Sequence, residues 1–421
     1  MQSADTIVVG AGAAGLMAAR ELTRAGKKVI VLEASNRVGG RILTLYDSGA
    51  GVPVELGAEF IHGEGLETTR LLDEARLATV PVMGKHYRSD RGELSPQGVA
   101  WLRMKPVFDY LDPDRKQDRS FQEFLDDKPG GPALARNRQL ARGFIQGFDA
   151  ADTTLISEKA LALQRDPTEG AAESRRIVNG YAALIEHLLR EVAETIQLNA
   201  KVRRVVWDET GARVFDQNGR EFSARTVIIT VPLPMLQDAS ISFEPEIPAL
   251  RNAAQHLVMG HVMRAVVVVK ERFWEKKLEG LSFVYAPLRP ITVWWTQQPI
   301  QAPVIVGWAG GPPAVEFSKA GDVEGAVVGE LARVFAMRRG RVEALIDSIQ
   351  RHDWTLDQNI RGAYSYPGIG GAYSPHLLAR SFGGTIFVAG EATDSELGGT
   401  VEGAIASAKR TTVKVLKRLA S

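Results

Sequence analysis

An α/β fold carrying an inserted α+β region is what this 421-residue sequence predicts, and three observations carry the prediction. Residues 6–42, TIVVGAGAAGLMAARELTRAGKKVIVLEASNRVGGRI, read as strand, glycine turn, helix and strand. The middle of the chain has helical patches followed by strands arriving in runs, which fits α+β better than a second βαβ unit. A further strand, turn and helix start fall at residues 386–404.

Within the first unit, Ile7 to Val9 has strand length and β-branched composition, and it stops at a glycine cluster. Gly10, Gly12 and Gly15 then form G-x-G-x-x-G around Ala13 and Ala14. Leu16 to Ala25 has helical spacing, Gly26 closes it, and Lys28 to Leu32 is a second buried strand ending at Glu33. The residue types answer separate needs of a dinucleotide. Gly10 permits the tight turn, Gly12 lets backbone approach a pyrophosphate, and Gly15 lets helix pack on strand. Free amides at the helix N-terminus face the phosphates, while Glu33 can accept hydrogen bonds from ribose hydroxyls.

Composition narrows the field. With 51 basic and 50 acidic residues, no nucleic-acid footprint is indicated. Cysteine is absent, which excludes disulfides, thiolate metal sites, cysteine nucleophiles and a cysteinyl link to a cofactor. No metal site is expected. No run reaches the roughly 18 apolar residues of a membrane span, and nothing resembles a signal peptide, so a soluble, cytoplasmic protein without a membrane tail is expected.

The stretch Glu33-Ala34-Ser-Asn-Arg37-Val-Gly39-Gly40-Arg41 runs from the ribose acid into a second glycine turn flanked by guanidinium groups. Read alone it is also compatible with a basic surface turn. It resembles the E-A-x-x-R-x-G-G-R signature of flavin-containing amine oxidases, the monoamine oxidase, polyamine oxidase and histone lysine demethylase type. That resemblance implies an FAD-binding Rossmann-like domain of the glutathione-reductase type and an inserted α+β substrate domain, with Arg41 against the cofactor phosphates. Ala363 stands where monoamine oxidases have the flavin-linking cysteine, so FAD is expected to be non-covalent.

Ile42 to Tyr46 then reads as a strand. The segment Val54-Glu-Leu-Gly57-Ala58-Glu59-Phe60-Ile61-His62-Gly63 follows, with small residues suited to backbone touching a flat ring. It resembles the polyamine oxidase segment whose backbone lines the flavin at Gly57, Ala58, Glu59 and Phe60, and whose histidine, here His62, faces substrate. A turn histidine is the alternative. From Glu67 to Gln164 helical patches broken by Pro, Gly and charge predict a helical substrate region. Its acids Asp109, Asp112, Asp126, Asp127, Asp149 and Asp152 read as solvated faces and caps, with steering of a cationic substrate as the alternative.

Ile177 to Leu188 begins a helix and resembles the family element that returns to the cofactor domain. Strands are expected at Leu198 to Val206, Gly211 to Asp216 and Thr226 to Val231. Val202 matches a position facing adenine and is equally compatible with simple sheet core. Gly260 to Trp274 reads as one long strand, and Arg264 falls where the family commonly has a lysine. Arginine does not lose its proton, so a base role there is implausible, leaving water positioning or charge stabilisation. Further strands are expected at Leu281 to Tyr285, Thr292 to Trp295 and Val304 to Trp308, with helices at Val323 to Met337 and Arg341 to Gln350.

Trp354 and Tyr364 keep the monoamine oxidase spacing, and the resemblance makes Tyr364 one wall of an aromatic cage whose other wall is Thr400. The C-terminal flavin motif matches at Gly390, Glu391, Gly399, Thr400, Val401 and Ala404, with amides at the helix start able to stabilise charge on reduced flavin. The domain division expected is 1–66, 176–245 and 375–421 for cofactor, and 67–175 and 246–374 for substrate. Together these imply oxidation of a polyamine or monoamine by hydride transfer to flavin, with molecular oxygen as acceptor and Tyr364, Arg264, Trp354, Thr400 and His62 as candidate catalytic residues. An L-amino-acid oxidase, a flavin-dependent desaturase or dehydrogenase of an apolar substrate, and a flavoprotein without turnover remain as alternatives.

Overall fold

Burial on both faces explains why the first strand reads as an unbroken apolar run: Ile7 and Val8 are wholly buried and Val9 nearly so. In the computed structural model, which describes residues 2–98, 100–164, 174–287 and 289–421, this strand spans Gln2–Val9. It exceeds its apolar core because Gln2, Ser3 and Ala4 also pair, with Phe222, Ser223 and Ala224. Parallel neighbours flank it: Val29–Leu32 on one side and Glu221–Ile229 on the other.

The sheet continues through Ala212–Asp216, Val202–Trp207 and Ser242–Glu244 at one end and Ile196–Gln197 at the other. Ile386–Val388 joins in parallel beside Val227, Ile228 and Ile229, so a segment near residue 390 completes a sheet begun at residue 2. Helices Ala13–Arg24 and Val401–Ala420 cover one face through Leu16, Ala19, Ile405, Ala408 and Val415. Val202, Val214, Phe222, Leu250 and Leu257 fill the other.

A second sheet has the order Ile346–Gln350, Val262–Val269, Val304–Gly310, Val293–Thr296, Leu281–Tyr285, Lys85–Asp90, Glu93–Pro96. All eight residues of Val262–Val269 are buried, because one face packs on Trp295, Val304 and Leu56 and the other on Trp294, Phe317 and Leu331. Helix Ala135–Phe148 lies beside it, held by Ala141 and Ile145 against Val107, Phe121 and Phe124.

Several expectations need correction. The region from Glu67 to Gln164 is not wholly helical: Thr79–Pro81, Lys85–Asp90 and Glu93–Pro96 are strands, and the last two extend the second sheet. Their polar sequence, KHYRSD and ELSP, hid them because this edge of the sheet is only half buried. Arg341 to Gln350 divides into helix Arg339–Leu345 and strand Ile346–Gln350, the latter drawn out by pairing with Val266–Val269. The long strand stops at Val269 rather than Trp274, and Ile42 to Tyr46 contributes strand only at Thr44–Leu45. Among the described residues no helix is long and apolar enough to cross a membrane.

Candidate active site

The glycine turn works by geometry. Gly10 has φ of +106°, and a Cβ on Gly15 would sit 1.9 Å from the Gly10 carbonyl oxygen, so the helix can start this close to the strand only without a side chain. A Cβ on Gly12 would meet nothing within 4 Å: its open side faces a groove. Gly12 is also the N-cap of helix Ala13–Arg24 and supplies no side-chain acceptor, which leaves the first amides for an anion. Glu33 accepts hydrogen bonds from the amides of Ala11 (2.7 Å) and Ser35 (2.8 Å), and a carboxylate has lone pairs left for ribose hydroxyls.

Two distant motifs meet at the floor of this groove. Arg41 donates through Nη1 to the Ala363 carbonyl (2.7 Å) and to Glu391 Oε1 (2.8 Å). The other oxygen of Glu391 accepts from Ser365 Oγ (2.7 Å) and from the Gly399 amide (3.1 Å). Thr400 caps the last helix by accepting from the Gly403 amide, and its hydroxyl donates to Leu397. Its oxygen is therefore engaged in the turn. The backbone around Thr400 and Val401 still lines the cavity.

The groove opens into a cavity of about 2400 Å³. All the residues expected at the site line it except Gly15, whose task is the helix–strand contact just described. Gly57 touches the groove side, where a Cβ would lie 1.9 Å from the Arg41 carbonyl oxygen and 3.3 Å from the Trp354 ring. The Trp354 indole donates to the Leu56 carbonyl (2.8 Å), and Tyr364 packs beside Gly399 and donates to the Phe148 carbonyl (2.6 Å). His62 lies between Phe60 and Phe148, with ring centroids 5.9 and 5.8 Å away, and its Nδ1 is 3.1 Å from Ser174 Oγ. Burial pulls the His62 imidazole down to about 4, so it is neutral near pH 7.

Arg264 is held in a buried ion-pair cluster. Its guanidinium pairs with Glu59 and donates to the Gly57 carbonyl (3.0 Å), while Arg176 bonds the same carboxylate at 2.5 Å. The Trp295 indole adds a third donor at 3.1 Å. Burial opposes ionisation of Glu59, but the two guanidinium groups outweigh it and hold the carboxyl below its usual range. Glu59, expected to contribute to the cofactor site, thus turns its carboxylate into an ion-pair cluster, and Arg264 is a wall strut with Nε unpartnered.

Sequence reasoning missed the rest of the cavity: Phe144, Phe148, Trp295, Trp308, His86, Phe283 and Tyr285. Asp149, read as a solvated face or cap with steering of a cationic substrate as the alternative, is half-buried and lines the cavity, where burial pushes its carboxyl up to about 7. Nothing in Phe148-Asp149-Ala-Ala-Asp152 distinguishes the inward acid from the outward one; Asp152 accepts from Thr154 at the surface.

The open cradle at Gly12, the uncapped helix start and the partly satisfied Glu33 fit a dinucleotide, and the adjoining aromatic cavity leaves room for a flavin ring and substrate. Comparisons with known proteins agree. The chain is 28% identical to polyamine oxidase 2 of Arabidopsis thaliana, an alignment covering 99% of this chain and 90% of that one. It is 28% identical to lysine-specific histone demethylase 1 homolog 2 of Oryza sativa subsp. japonica over 98% of its own length, but spans only 57% of that protein. Solved structures with the same fold include a putrescine oxidase bound to putrescine, with a TM-score of 0.84 and 22% identity over 99% of both chains. Cyclohexylamine oxidase from Brevibacterium oxydans IH-35A matches with a TM-score of 0.83 and 19% identity, covering 99% of this chain and 100% of that one. The sequence profile described as flavin containing amine oxidoreductase matches residues 13–101 and 99–416, and on that extent the chain belongs to this family, whose cofactor is FAD.

Proposed function

We propose that the protein is an FAD-dependent amine oxidase that removes hydride from the carbon next to an amine nitrogen. The observation that carries this reading is a dinucleotide groove opening, at Gly57, Trp354 and Tyr364, into a cavity walled by aromatic rings. Gly10, Gly12, Ala13, Ala14, Gly39, Gly40 and Arg41 would hold the diphosphate, Glu33 and Ala34 the ribose, Val202 the adenine side, and Gly390, Glu391, Val401 and Ala404 the remainder. Bound FAD supplies the hydride acceptor and passes the electrons to oxygen, giving hydrogen peroxide. Water then hydrolyses the substrate imine.

The chain's own residues prepare the amine. Hydride loss needs the nitrogen lone pair, so the reacting amine must be the free base. Aromatic walls at Tyr364 and Trp354 desolvate it and disfavour the ammonium, although a ring face attracts cations by about 0.5–2 kcal/mol and opposes this. His62, neutral in its aromatic niche, adds no repulsive charge. The engagement of Arg264 with Glu59 speaks against an amino-acid substrate, whose carboxylate would want a free guanidinium. The polyamine and putrescine oxidases among the similar proteins favour amines of that class.

Anaerobic mixing with an amine panel tests the reading directly. Bleaching of the flavin absorbance is expected, with a rate that rises with pH as the substrate loses its proton. No bleaching by any amine would overturn it.

A further inference from the structure

The wall of the cavity remote from the groove is basic. Strand Lys85–Asp90 stands four places from Val262–Val269 in the second sheet, roughly 19 Å away at about 4.8 Å per strand, whereas Arg264 on Val262–Val269 bonds the Gly57 carbonyl beside the groove. His86 and Arg88 pair with Phe283 and Tyr285 of the adjoining parallel strand, and all four line the cavity. Arg88 is half-buried, its Nε is enclosed without a partner, and among the described residues no hydrogen bond or ion pair engages the rest of its guanidinium. Burial lowers its pKa, and so do the guanidinium groups of Arg136 on helix Ala135–Phe148 and Arg103 on helix Ala100–Phe108; exposed Asp90 offsets this only in part. The Tyr285 phenol, pushed up to about 12 by burial, is a neutral donor and also lacks a partner among the described residues. Between this wall and the groove the lining is apolar, at Met104, Leu140, Phe283 and Trp295.

Three like charges gathered at the end of a cavity repel one another, and an anion that joins them relieves the repulsion. A second ammonium would add to it. A carboxylate can accept from a guanidinium and a phenol at once, and the bond to the guanidinium is charge-assisted. We propose that Arg88 and Tyr285 bind a carboxylate at the remote end of the substrate, so that the protein oxidises long ω-amino acids in preference to diamines and plain alkylamines. This rests on the amine-oxidase reading and departs from its polyamine preference, on the sign of the charge at the far wall. The apolar stretch between the two ends takes the methylene chain. An α-amino acid does not fit, since its carboxylate adjoins the reacting carbon and cannot reach Arg88.

The test uses the FAD-loaded protein, Arg88→Gln and Tyr285→Phe, with ω-amino acids of about 6 to 12 carbons, each beside the alkylamine and the diamine of equal length. In the native protein the best ω-amino acid is expected to have a higher kcat/KM than either counterpart. Its ratio over the alkylamine should fall about 30-fold in Arg88→Gln, the scale of one lost charge-assisted hydrogen bond, and about fivefold in Tyr285→Phe. A native preference for the diamine, or an unchanged ratio in Arg88→Gln even with lower rates for both substrates, overturns the proposal. Binding of octanoate, which has no amine to oxidise, is read in parallel by calorimetry. Weakening by about 30-fold in Arg88→Gln supports the assignment without turnover. Equal affinity, or no binding to either protein, overturns it. If no amine bleaches the native flavin while octanoate binding still depends on Arg88, the oxidase reading falls and the acid site stands; bleaching by alkylamines with no gain from a terminal carboxylate does the reverse.

Discussion

The dinucleotide groove and the aromatic cavity are continuous, yet they are built in opposite ways. The groove is made of backbone: positive-φ glycines, uncapped helix amides, and carboxylates of Glu33 and Glu391 tied to main-chain donors. The cavity is made of side chains from well-separated stretches, with rings at Phe60, Phe148, Tyr285, Trp308 and Tyr364 and a carboxylate, Asp149, that no hydrogen bond or ion pair reaches among the described residues. Backbone recognition tolerates little, since a Cβ at Gly15 would collide with the Gly10 carbonyl. A cavity lined by side chains can change one residue at a time.

The largest expected effect lies on the wall the two regions share. Arg264→Met removes one of two guanidinium groups from buried Glu59 and leaves the Gly57 carbonyl without its donor, so a loss of about 3 kcal/mol in stability is expected by denaturant titration. Unchanged stability would mean that Arg176 suffices and that wall and groove are uncoupled. Gly15→Ala should lower FAD affinity by about 100-fold, since its Cβ collides with the Gly10 carbonyl and the turn must open. Normal flavin content after dialysis would break the claim that backbone shape makes the groove.

Tyr364→Ala acts on the cavity alone: flavin reduction by amine should slow about tenfold while flavin content is retained. Tyr364→Phe, which loses only the bond to the Phe148 carbonyl, should cost about fivefold. If the two variants behaved alike, the ring itself would have no role. The smallest effect is expected at His62. Its imidazole titrates near 4, below its usual range, so it stays neutral over roughly pH 5 to 8 and His62→Gln should leave the shape of the pH–rate profile unaltered. Disappearance of a rate inflection near pH 6 in the variant would show a histidine that charges in the working range.

The same contrast explains what could be read from the sequence. Gly10, Gly12, Gly15 and Glu33 were legible because their roles need particular residue types at fixed local spacing. Gly57 and Glu391 were legible only through resemblance, since their partners, the Arg41 carbonyl and the Arg41 guanidinium, lie far off in sequence. The ion pair of Arg264 with Glu59 was not legible, because the two residues lie about 200 positions apart. Asp149 was indistinguishable from five surface acids, as burial is a property of the fold and not of the local string. In the fold, buried strands such as Val262–Val269 announced themselves by composition. The polar edge Lys85–Asp90 did not, because its partners rather than its own residues make it a strand.

The ion pair between Arg41 and Glu391, with the parallel strand Ile386–Val388 beside it, has a consequence for folding. Its partners stand 350 positions apart, so the floor of the groove exists only once a contact of very long range has formed, and no local segment can build it alone.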